Sequence, residues 1–332
     1  MSNKIAVIGS GSWGSAQAVH LCKAGHKVTI WGRNNTDLDS LREGFNYRYF
    51  GDLKLCDPGA LSVTDSLEEA LTGAEYVVFA VPSEAMRHVA QQANTYISPT
   101  AILISTAKGL EKGSLLRMSE VLSEVVGRLE RIVVLSGPSF AVEVVKGLPT
   151  AVTLASPVPK VSSTTASLYH YKYFRAYAST DLVGVELGGV LKNVIALAAG
   201  MLDGAGMGAN ARAALLTRAL IEIRRVVMAL GGRSSTVSGL SGLGDLLLTA
   251  TGDLSRNRQV GLLLGRGKKL EDIMRKMEQV AEGVHTAQSC LQLAQSLGVE
   301  TPIIEETCQV LSEKHDLKQA IFNLLSRSQK FE

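Results

Sequence analysis

Short apolar runs alternate with stretches of helical periodicity from the amino terminus to about residue 180. This alternation is typical of a parallel sheet with helices on both faces. The predicted strands are Ile5–Ile8, Lys27–Trp31, Tyr76–Ala80, Ala101–Ser105, Ile132–Leu135, Ala151–Leu154 and Phe174–Tyr177. After Asp181 the strand pattern stops, and helical periodicity with glycine-rich turns takes over. The pattern therefore predicts an α/β fold, with a doubly wound sheet in residues 1–180 and an all-α C-terminal domain in residues 181–332.

A glycine-rich turn follows the first strand and leads into a helix that stops at Gly25. In this turn Gly9 permits a tight bend, Gly11 lets the backbone approach a pyrophosphate, and Gly14 lets helix and strand pack closely. The start of the helix supplies free N–H groups and the positive end of the helix dipole for the phosphates. A second strand, Lys27–Trp31, follows on schedule. The N-terminal domain is therefore predicted to be a Rossmann domain that binds a dinucleotide.

A lysine stands almost alone among apolar residues at the start of the second domain. From Val183 to Ala199 the only ionisable residues are Glu186 and Lys192. A buried ammonium is costly unless a carboxylate or a bound anion compensates it. Gly188 and Gly189 leave a gap beside the lysine, which we expect a ligand to enter. Lys192 is thus a candidate catalytic residue; the alternative is a lysine whose ammonium reaches solvent along the helix surface.

Three predicted strands end in turns with suggestive chemistry, and ligands of doubly wound sheets bind beyond such strand ends. Ala80-Val81-Pro82-Ser83 places a proline where a helix starts. The segment from Ser105 to Glu111 directs Lys108 toward the same edge. The segment from Ser136 to Ala141 combines exposed N–H groups with the hydroxyl of Ser139. Taken singly, each turn has ordinary loop chemistry as its alternative; the coincidence of three favours a ligand site.

The second domain contains two further clusters. Gly239–Leu246 is a glycine-rich bend that delivers the carboxylate of Asp245, with close helix packing as the alternative reading. Asp253–Arg258 has the pattern of a capped helix start. Its hydroxyl, amide and guanidinium groups suit a phosphate, with a solvated cap as the alternative. Gln279–Val284 by itself indicates only a helix end.

Composition and charge agree with a soluble cytoplasmic enzyme. The 332 residues leave room for two domains, and the net charge of +3, from 34 basic and 31 acidic residues, indicates neither a nucleic-acid partner nor a membrane surface. No apolar run free of charges is long enough to span a bilayer. Cys22, Cys56, Cys290 and Cys308 form no C-x-x-C pair, and the six histidines have no ligand spacing. We therefore expect reduced thiols and no metal.

Taken together, the motifs resemble those of the bacterial-type NAD(P)-dependent glycerol-3-phosphate dehydrogenases, in order and over nearly the whole chain. Trp13 stands where many members of that family have another aromatic residue. The resemblance rests on Gly9-x-Gly11-x-Trp13-Gly14, Ala80-Val81-Pro82-Ser83, Thr106-Ala107-Lys108-Gly109-Leu110-Glu111, Gly137-Pro138-Ser139-Phe140-Ala141, Gly188-Gly189-x-x-Lys192-Asn193, Gly208-Ala209-Asn210-x-Arg212, Gly242-Leu243-Gly244-Asp245-Leu246, Ser255-Arg256-Asn257 and Val280-x-Glu282-Gly283.

The resemblance implies a reaction and a set of site residues. The reaction is the reversible reduction of dihydroxyacetone phosphate to sn-glycerol 3-phosphate, which supplies phospholipid synthesis, in a cytoplasmic homodimer that binds no nucleic acid and inserts into no membrane. Lys192 is implied to donate and accept the proton. The residues implied to contact the substrate are Lys108, Gly137, Ser139, Lys192, Asp245, Ser255, Arg256 and Asn257. The residues implied to contact the cofactor are Gly9, Gly11, Ser12, Trp13, Gly14, Arg33, Lys108, Ala141, Arg256, Val280 and Glu282.

Elementary chemistry agrees with the role implied for Lys192. A hydride that arrives at a carbonyl carbon builds negative charge on the oxygen, which a positioned ammonium stabilises and then protonates. We expect Lys108 to polarise the same oxygen and Asp245 to orient a hydroxyl or Lys192. We also expect these groups to meet in the cleft between the two domains.

The end of the second strand predicts the cofactor preference. Sites selective for NAD place Asp or Glu about 20 residues beyond the glycines, where it binds the ribose hydroxyls. Here the strand ends in Gly32-Arg33-Asn34-Asn35, and the first acid is Asp37. Because an arginine pairs well with a 2′-phosphate, we expect NADP(H) to be preferred and NAD(H) to be accepted. The alternative is that Arg33 only stacks on the adenine.

Two other functions fit parts of the pattern. The β-hydroxyacid and 6-phosphogluconate dehydrogenases also join a Rossmann domain to a helical domain that carries a glycine-spaced lysine, but Gly137–Phe140 and Ser255–Asn257 argue against them. A catalytically silent protein that responds to NADPH is the other possibility, and it requires Lys192 to be dispensable.

Overall fold

The computed structural model describes residues 2–277 and 281–328, which form two compact units. The first unit comprises Met1–Glu111 and Leu116–Glu186, and the second comprises Lys112–Leu115 and Leu187–Glu332. The division into domains of residues 1–180 and 181–332 that the sequence predicts stays a prediction.

The first unit is built on one eight-stranded sheet with the strand order β3-β2-β1-β4-β5-β6-β7-β8. All neighbouring pairs are parallel except β6 and β7, which run antiparallel. The predicted doubly wound sheet is therefore confirmed and mostly parallel, with one exception where the connection through the helix Ala141–Val145 returns the chain in the opposite direction. The seven predicted strands are all present, and one further strand, the short β3, was not predicted. The strands are β1 Lys4–Ile8, β2 Lys27–Trp31, β3 Ser62–Thr64, β4 Tyr76–Phe79, β5 Ile102–Ser105, β6 Ile132–Ser136, β7 Thr150–Ala155 and β8 Phe174–Ser179.

Helices cover both faces of this sheet, as the apolar runs predict. Along β1, Ile5 and Val7 belong to one core cluster, whereas Ala6 and Ile8 belong to another. Since successive side chains of a strand point to opposite faces, a strand buried on both sides must be apolar throughout. The helices of this unit are α1 Ser12–Lys23, α2 Asn35–Arg42, α3 Tyr47–Phe50, α4 Leu67–Leu71, α5 Met86–Ala93, α6 Met118–Val126, α7 Ala141–Val145 and α8 Pro159–Tyr169. Short 3₁₀ helices occupy Ser83–Ala85 and Leu129–Arg131.

The strand order reverses direction at β1, which pairs with β2 on one side and β4 on the other. In doubly wound sheets, the crevice beyond the carboxyl ends of the strands at such a point is where ligands bind. The segments after Ile8 and Phe79 therefore border the predicted nucleotide site.

In the described residues of the second unit, every named element is a helix, as the sequence predicts. Its helices are the part of α9 Leu182–Gly204 that follows Glu186, then α10 Gly208–Ala229, α11 Ser234–Val237, α12 Asp245–Thr251, α13 Arg256–Gly265, α14 Leu270–Lys276, α15 Glu282–Ser296, α16 Pro302–Leu311 and α17 Leu317–Leu325. One turn of π-helix, Leu240–Gly244, precedes α12.

Helix α9 is both long and strongly apolar. Within residues 2–277 and 281–328 it alone has the length and composition of a membrane span, with a mean hydropathy of 1.7 over its most apolar stretch, and 94% of that stretch is buried inside the protein. Burial to this extent is typical of a core helix, which is apolar because it packs against other parts of the protein and not against lipid.

A buried carboxylate from α10 caps another helix of the second unit. Glu222 is 3% exposed, and its two carboxylate oxygens accept hydrogen bonds from the backbone N–H groups of Ile303 (2.8 Å) and Ile304 (3.3 Å) at the start of α16. Burial raises the pKa of Glu222 from 4.5 to about 7, against the opposing effect of these hydrogen bonds. The native state therefore retains a proton here that the unfolded chain has lost, over the range between these two values.

This raised pKa predicts a pH-dependent stability with a definite sign. The contribution of Glu222 is fully present below pH 4.5 and is lost as the pH rises through about 7. We expect Glu222→Gln to remove this loss, so that the free energy of unfolding of the wild type falls more steeply across this range than that of the variant. Denaturant unfolding of both proteins at a series of pH values measures the difference. Glu305→Gln, an exposed change on α16, is the control, and parallel curves for wild type and Glu222→Gln would contradict the prediction.

Candidate functional site

The glycine-rich turn after β1 is held by backbone contacts that only glycine permits. Gly9 has φ +119°, and a Cβ there would lie 2.6 Å from the carbonyl oxygen of Ala80. A Cβ on Gly14 would lie 1.9 Å from the carbonyl oxygen of Gly9, so the start of α1 rests directly on the turn. A Cβ on Gly11 would meet no atom within 4 Å. The turn is therefore tight on its inner side and open at Gly11, which is the arrangement that a pyrophosphate needs.

Helix α1 begins with Ser12 and Trp13, whose backbone N–H groups belong to its first turn. Asn46, which the sequence analysis does not identify, stabilises this turn through its side chain. The side-chain amide of the fully buried Asn46 donates to the carbonyl oxygen of Ser10 (3.0 Å) and to the hydroxyl of Ser15 (2.9 Å). No local pattern signals this role, because Asn46 lies 36 residues from Ser10 in the chain.

The segment after β2 exposes Arg33 and buries the first acidic residue. Asn34 caps α2 by accepting from the N–H of Asp37 (3.2 Å). Asp37 itself is 6% exposed and lies 3.7 Å from the guanidinium of Arg48. Arg33 is exposed at the strand end, where NAD-selective proteins place an acid.

Two of the predicted turns converge on one carbonyl oxygen. The ammonium of Lys108, after β5, donates to the carbonyl oxygen of Gly137, after β6, at 3.3 Å. The hydroxyl of Ser139 donates to the same oxygen at 3.0 Å. Gly137 has φ +140°, and Ala141 follows at the start of α7. The structure thus brings Lys108, Gly137 and Ser139 together.

Arg87 anchors the end of the segment that carries Lys108. Its guanidinium donates to both carboxylate oxygens of Glu111 (2.7 and 2.8 Å) and to the carboxylate of Glu124 (2.7 Å). Bidentate pairing of this kind fixes geometry as well as charge. The sequence shows Glu111 as part of the motif, but not its partner on α5.

Lys192 is buried in an ion pair rather than exposed to solvent. Its ammonium donates to the carboxylate of Asp245 (2.6 Å) and to the hydroxyl of Thr249 (2.6 Å). The three residues are 5%, 1% and 5% exposed. The carboxylate that a buried ammonium requires is therefore Asp245, and the alternative of a lysine that reaches solvent is wrong.

Thr249 is a member of this cluster that the sequence analysis missed. It lies four residues after Asp245 on α12, so both side chains share one face of that helix. The spacing of four residues from Asp245 is the signal in the sequence that points to Thr249.

The expected gap beside Lys192 is filled at Gly188 by the protein's own backbone. A Cβ on Gly188 would lie 2.7 Å from the carbonyl oxygen of Ser241, and one on Gly242 would lie 2.1 Å from that of Val237. Gly188 thus lets the π-helical turn before Asp245 pack against α9, and the entry of a ligand beside Gly188 and Gly189 stays a prediction. Both readings of the glycine-rich bend therefore apply: the bend packs closely against α9, and this packing brings the carboxylate of Asp245 to Lys192.

Glu186 has its own partners in the first unit. Its carboxylate accepts from the backbone N–H and hydroxyl of Ser119 (2.9 and 2.6 Å) and from the guanidinium of Arg117 (3.1 Å). Burial raises the pKa of Glu186, against the lowering effect of Arg117 and Ser119. Glu186 and Lys192, the two ionisable residues between Val183 and Ala199, therefore have different partners.

The capped helix start predicted at Ser255 is present as α13. The hydroxyl of Ser255 accepts from the N–H of Arg258 (3.2 Å), and Arg256 is exposed at the first position of the helix. The amide of Asn257 donates to the side-chain oxygen of Asn193 (3.0 Å), and its own oxygen accepts from the N–H of Gly283 (2.9 Å). The helix start thus lies beside the residue that follows Lys192.

Of the remaining predicted residues, Glu282 begins α15, next to Gly283. Val280 lies outside the described residues. The predicted site residues therefore form a glycine turn, a Lys108 cluster and the exposed Arg33 in the first unit, and a Lys192 cluster and the α13 start in the second.

Comparison with known proteins assigns the family. Residues 4–162 match the model for the N-terminus of NAD-dependent glycerol-3-phosphate dehydrogenase, and residues 181–322 match the model for its C-terminus. The glycerol-3-phosphate dehydrogenase (NAD(P)+) of Syntrophotalea carbinolica is 50% identical over 331 residues, which cover 99% of each chain. That of Geobacter sulfurreducens is 46% identical over 335 residues, covering 100% of this chain and 99% of the relative.

A solved structure agrees with both the fold and the family. The crystal structure of glycerol-3-phosphate dehydrogenase from Coxiella burnetii superposes with a TM-score of 0.92 at 38% identity, covering 98% of this chain and 99% of that one. The resemblance found in the sequence motifs is thereby confirmed, and the chain belongs to the NAD-dependent glycerol-3-phosphate dehydrogenase family.

Proposed function

We propose that this protein catalyses the reversible NAD(P)H-dependent reduction of dihydroxyacetone phosphate to sn-glycerol 3-phosphate. The observation that carries the proposal is the buried cluster of Lys192, Asp245 and Thr249, in a chain of this family. The full-length relatives bear the name of this activity. The direct test follows NADPH absorbance with dihydroxyacetone phosphate beside a panel of ketones derived from hydroxyacids; turnover of the hydroxyacid-derived ketones alone would refute the assignment.

Lys192 is proposed to be the proton donor in the direction of reduction. Negative charge develops on the carbonyl oxygen as the carbon is reduced, and a buried ammonium stabilises such a charge more strongly than water does. The carboxylate of Asp245 orients the ammonium, since it accepts a hydrogen bond from Nζ at 2.6 Å. In the reverse direction the neutral amine accepts the hydroxyl proton.

The first unit fits a nicotinamide dinucleotide. The open position at Gly11 and the free N–H groups of Ser12 and Trp13 suit a pyrophosphate, and Arg33 suits a 2′-phosphate. A nicotinamide cofactor bound there supplies the hydride. The other residues proposed to hold it are Gly9, Gly14, Lys108, Ala141, Arg256, Val280 and Glu282.

The remaining site residues are proposed to bind the phosphorylated substrate. The exposed guanidinium of Arg256, at the start of a helix capped by Ser255, offers charge and N–H donors to a phosphate. Lys108, with Gly137 and Ser139, is proposed to polarise the carbonyl oxygen. Asn257 completes the set through its position beside Asn193.

We further propose that the protein is a cytoplasmic homodimer that supplies glycerophospholipid synthesis. Family membership is the support for all three statements. Residues 1–180 are proposed to be the NAD(P)-binding Rossmann domain, and residues 181–332 the helical substrate domain.

Replacement of Lys192 by alanine should abolish turnover while NADPH binding is retained. Loss of a general acid typically lowers the rate by ~10²–10⁴-fold, and loss of the stabilising charge adds to this. Steady-state turnover and NADPH titration measure the two effects, and circular dichroism checks that the variant folds. Lys268→Ala, an exposed lysine of the same unit, is the control; near-normal turnover by folded Lys192→Ala would refute the assignment.

Replacement of Arg256 should weaken the recognition of phosphate. Because a hydrogen bond to a charged group contributes about 1.5–3 kcal/mol, Arg256→Ala should raise the Michaelis constant for dihydroxyacetone phosphate, NADPH or both by roughly 10- to 100-fold. Arg256→Lys keeps the charge but loses the planar fork, so it should remain impaired. Arg266→Ala, at the other end of α13, is the control, and Michaelis constants that stay unchanged in Arg256→Ala would contradict the role.

Cofactor preference should depend on Arg33. We expect the wild type to accept both cofactors with NADPH favoured, and Arg33→Ala to reduce the ratio of kcat/KM for NADPH over NADH by roughly 10- to 100-fold, through loss of a charge-assisted pair. Arg42→Ala, another exposed arginine nearby on α2, should leave the ratio unchanged. A wild type that prefers NADH, or a ratio that Arg33→Ala does not alter, would favour adenine stacking or no role.

A further inference from the structure

Helices α9 and α13 touch each other through their backbones. Two glycines on each helix, spaced four residues apart, form the contact: Gly200, Gly204, Gly261 and Gly265. A Cβ on any one of them would come within 2.1 to 2.2 Å of a carbonyl oxygen of the facing helix. No side chain can therefore lie between the two helices, and the contact has no rotamers through which to adjust.

The contact also defines the direction of the two helices. Its pairs advance by four residues on both helices: Asn193 with Asn257, Leu197 with Gly261, and Met201 with Gly265. Since both members of each pair advance in the same sense, the helices run parallel. The first turn of α13 therefore lies beside the part of α9 that carries Lys192, and it cannot slide without breaking every contact.

One arginine joins the first turn of α13 to the last turn of α9. Arg258 donates from Nε and Nη2 to the same carboxylate oxygen of Asp203, at 3.2 and 2.8 Å. The side chains of Arg258 and Asp203 are 13% and 12% exposed, whereas Asp253, which also accepts from Arg258 at 2.8 Å, is 95% exposed. The pair with Asp203 is therefore the one that solvent screens least.

Arg258 also holds the residues proposed to bind phosphate. Its backbone N–H is the donor to the capping hydroxyl of Ser255, and Arg256 and Asn257 lie between these two residues. Two interactions thus hold the backbone of this turn: the cap at Ser255 within the turn, and the pairing of the Arg258 guanidinium with Asp203 on α9. The exposed side chain of Arg256 projects from this fixed backbone.

We infer that Arg258 is a positioning residue, which through Asp203 fixes the segment Ser255-Arg256-Asn257 against the helix of Lys192 and so aligns the phosphate of the substrate with the proton donor. The inference rests on the proposed function for the identity of the substrate. It assigns Arg258 no contact with substrate or cofactor. A shift of about 1 Å at a binding group lowers the rate by on the order of 100-fold, so the alignment is expected to be measurable.

A second arginine on the same carboxylate separates positioning from stability. Arg212, on α10, donates to the other oxygen of Asp203 at 2.7 Å. Loss of Arg212 removes an ion pair of Asp203 but leaves the connection to α13 in place. Arg212→Ala is therefore a matched control for Arg258→Ala.

The experiment compares kcat/KM for dihydroxyacetone phosphate and for dihydroxyacetone, which lacks the phosphate. Arg258→Ala should lose roughly 10- to 100-fold with the phosphorylated substrate, in keeping with a misplaced binding group, and much less with dihydroxyacetone. Arg258→Lys should show a smaller loss with the same selectivity, and it serves if the alanine variant does not fold. Arg212→Ala should retain the wild-type ratio between the two substrates.

The outcomes separate this inference from the proposed function. Equal losses with both substrates, no loss with either, or the same selective loss in Arg212→Ala would overturn the positioning role. If the wild type does not reduce dihydroxyacetone phosphate, the proposed function fails, and calorimetric titration with inorganic phosphate then decides the inference alone. Phosphate binding weakened by Arg256→Ala and by Arg258→Ala, but not by Arg212→Ala, would support it; any other pattern, including no binding to the wild type, would overturn it.

Discussion

The ion pair between Lys192 and Asp245 is the constraint on which the second unit depends. Both groups are almost completely buried, with 2.6 Å between the ammonium and the carboxylate oxygen. Removing one partner of a buried pair generally costs about 3–5 kcal/mol, because the other charge is left uncompensated. The pair therefore requires α12 to remain within hydrogen-bond distance of α9. The hydroxyl of Thr249, at 2.6 Å from the ammonium, adds a second requirement in the same direction.

Glycines on α9 make this close approach possible. Gly188 admits the backbone at Ser241, so that the π-helical turn delivers Asp245 to the lysine. Farther along, Gly200 and Gly204 admit the backbone of α13. A single apolar helix thus carries the proposed proton donor and receives both neighbouring elements through contacts without side chains. Sites supported by such rigid elements hold their geometry better than sites on loops.

In the first unit, the predicted site consists mainly of loops that follow the ends of strands, and contacts with neighbouring residues hold the backbone groups of these loops in place. The turn at Gly9 rests on Ala80, and Asn46 supports it from behind. At the next strands, the carbonyl oxygen of Gly137 accepts from both Lys108 and Ser139. Since these loops follow parallel strands of one sheet, their positions are set by the sheet rather than by the loops themselves.

The sequence by itself determined what depends on neighbours in the chain. Strand positions followed from apolar runs, the turn at Gly9 from glycine spacing, and the start of α13 from the capping pattern at Ser255. Lys192 stood out because a single ammonium in an apolar helix is costly wherever that helix is buried. These features are local, so periodicity and residue type are sufficient to show them.

Only the tertiary structure decided which distant groups meet. Asp245 lies 53 residues from Lys192, and Asn257 lies 64 residues from Asn193. The antiparallel pairing of β6 and β7, the filling of the space at Gly188 and the pairing of Arg258 with Asp203 likewise join separate elements. Such contacts arise when whole helices and strands pack, and the same residue types at the same spacing are compatible with several packings. The partner of each charge is therefore decided by how the helices and strands pack, which the local sequence pattern does not specify.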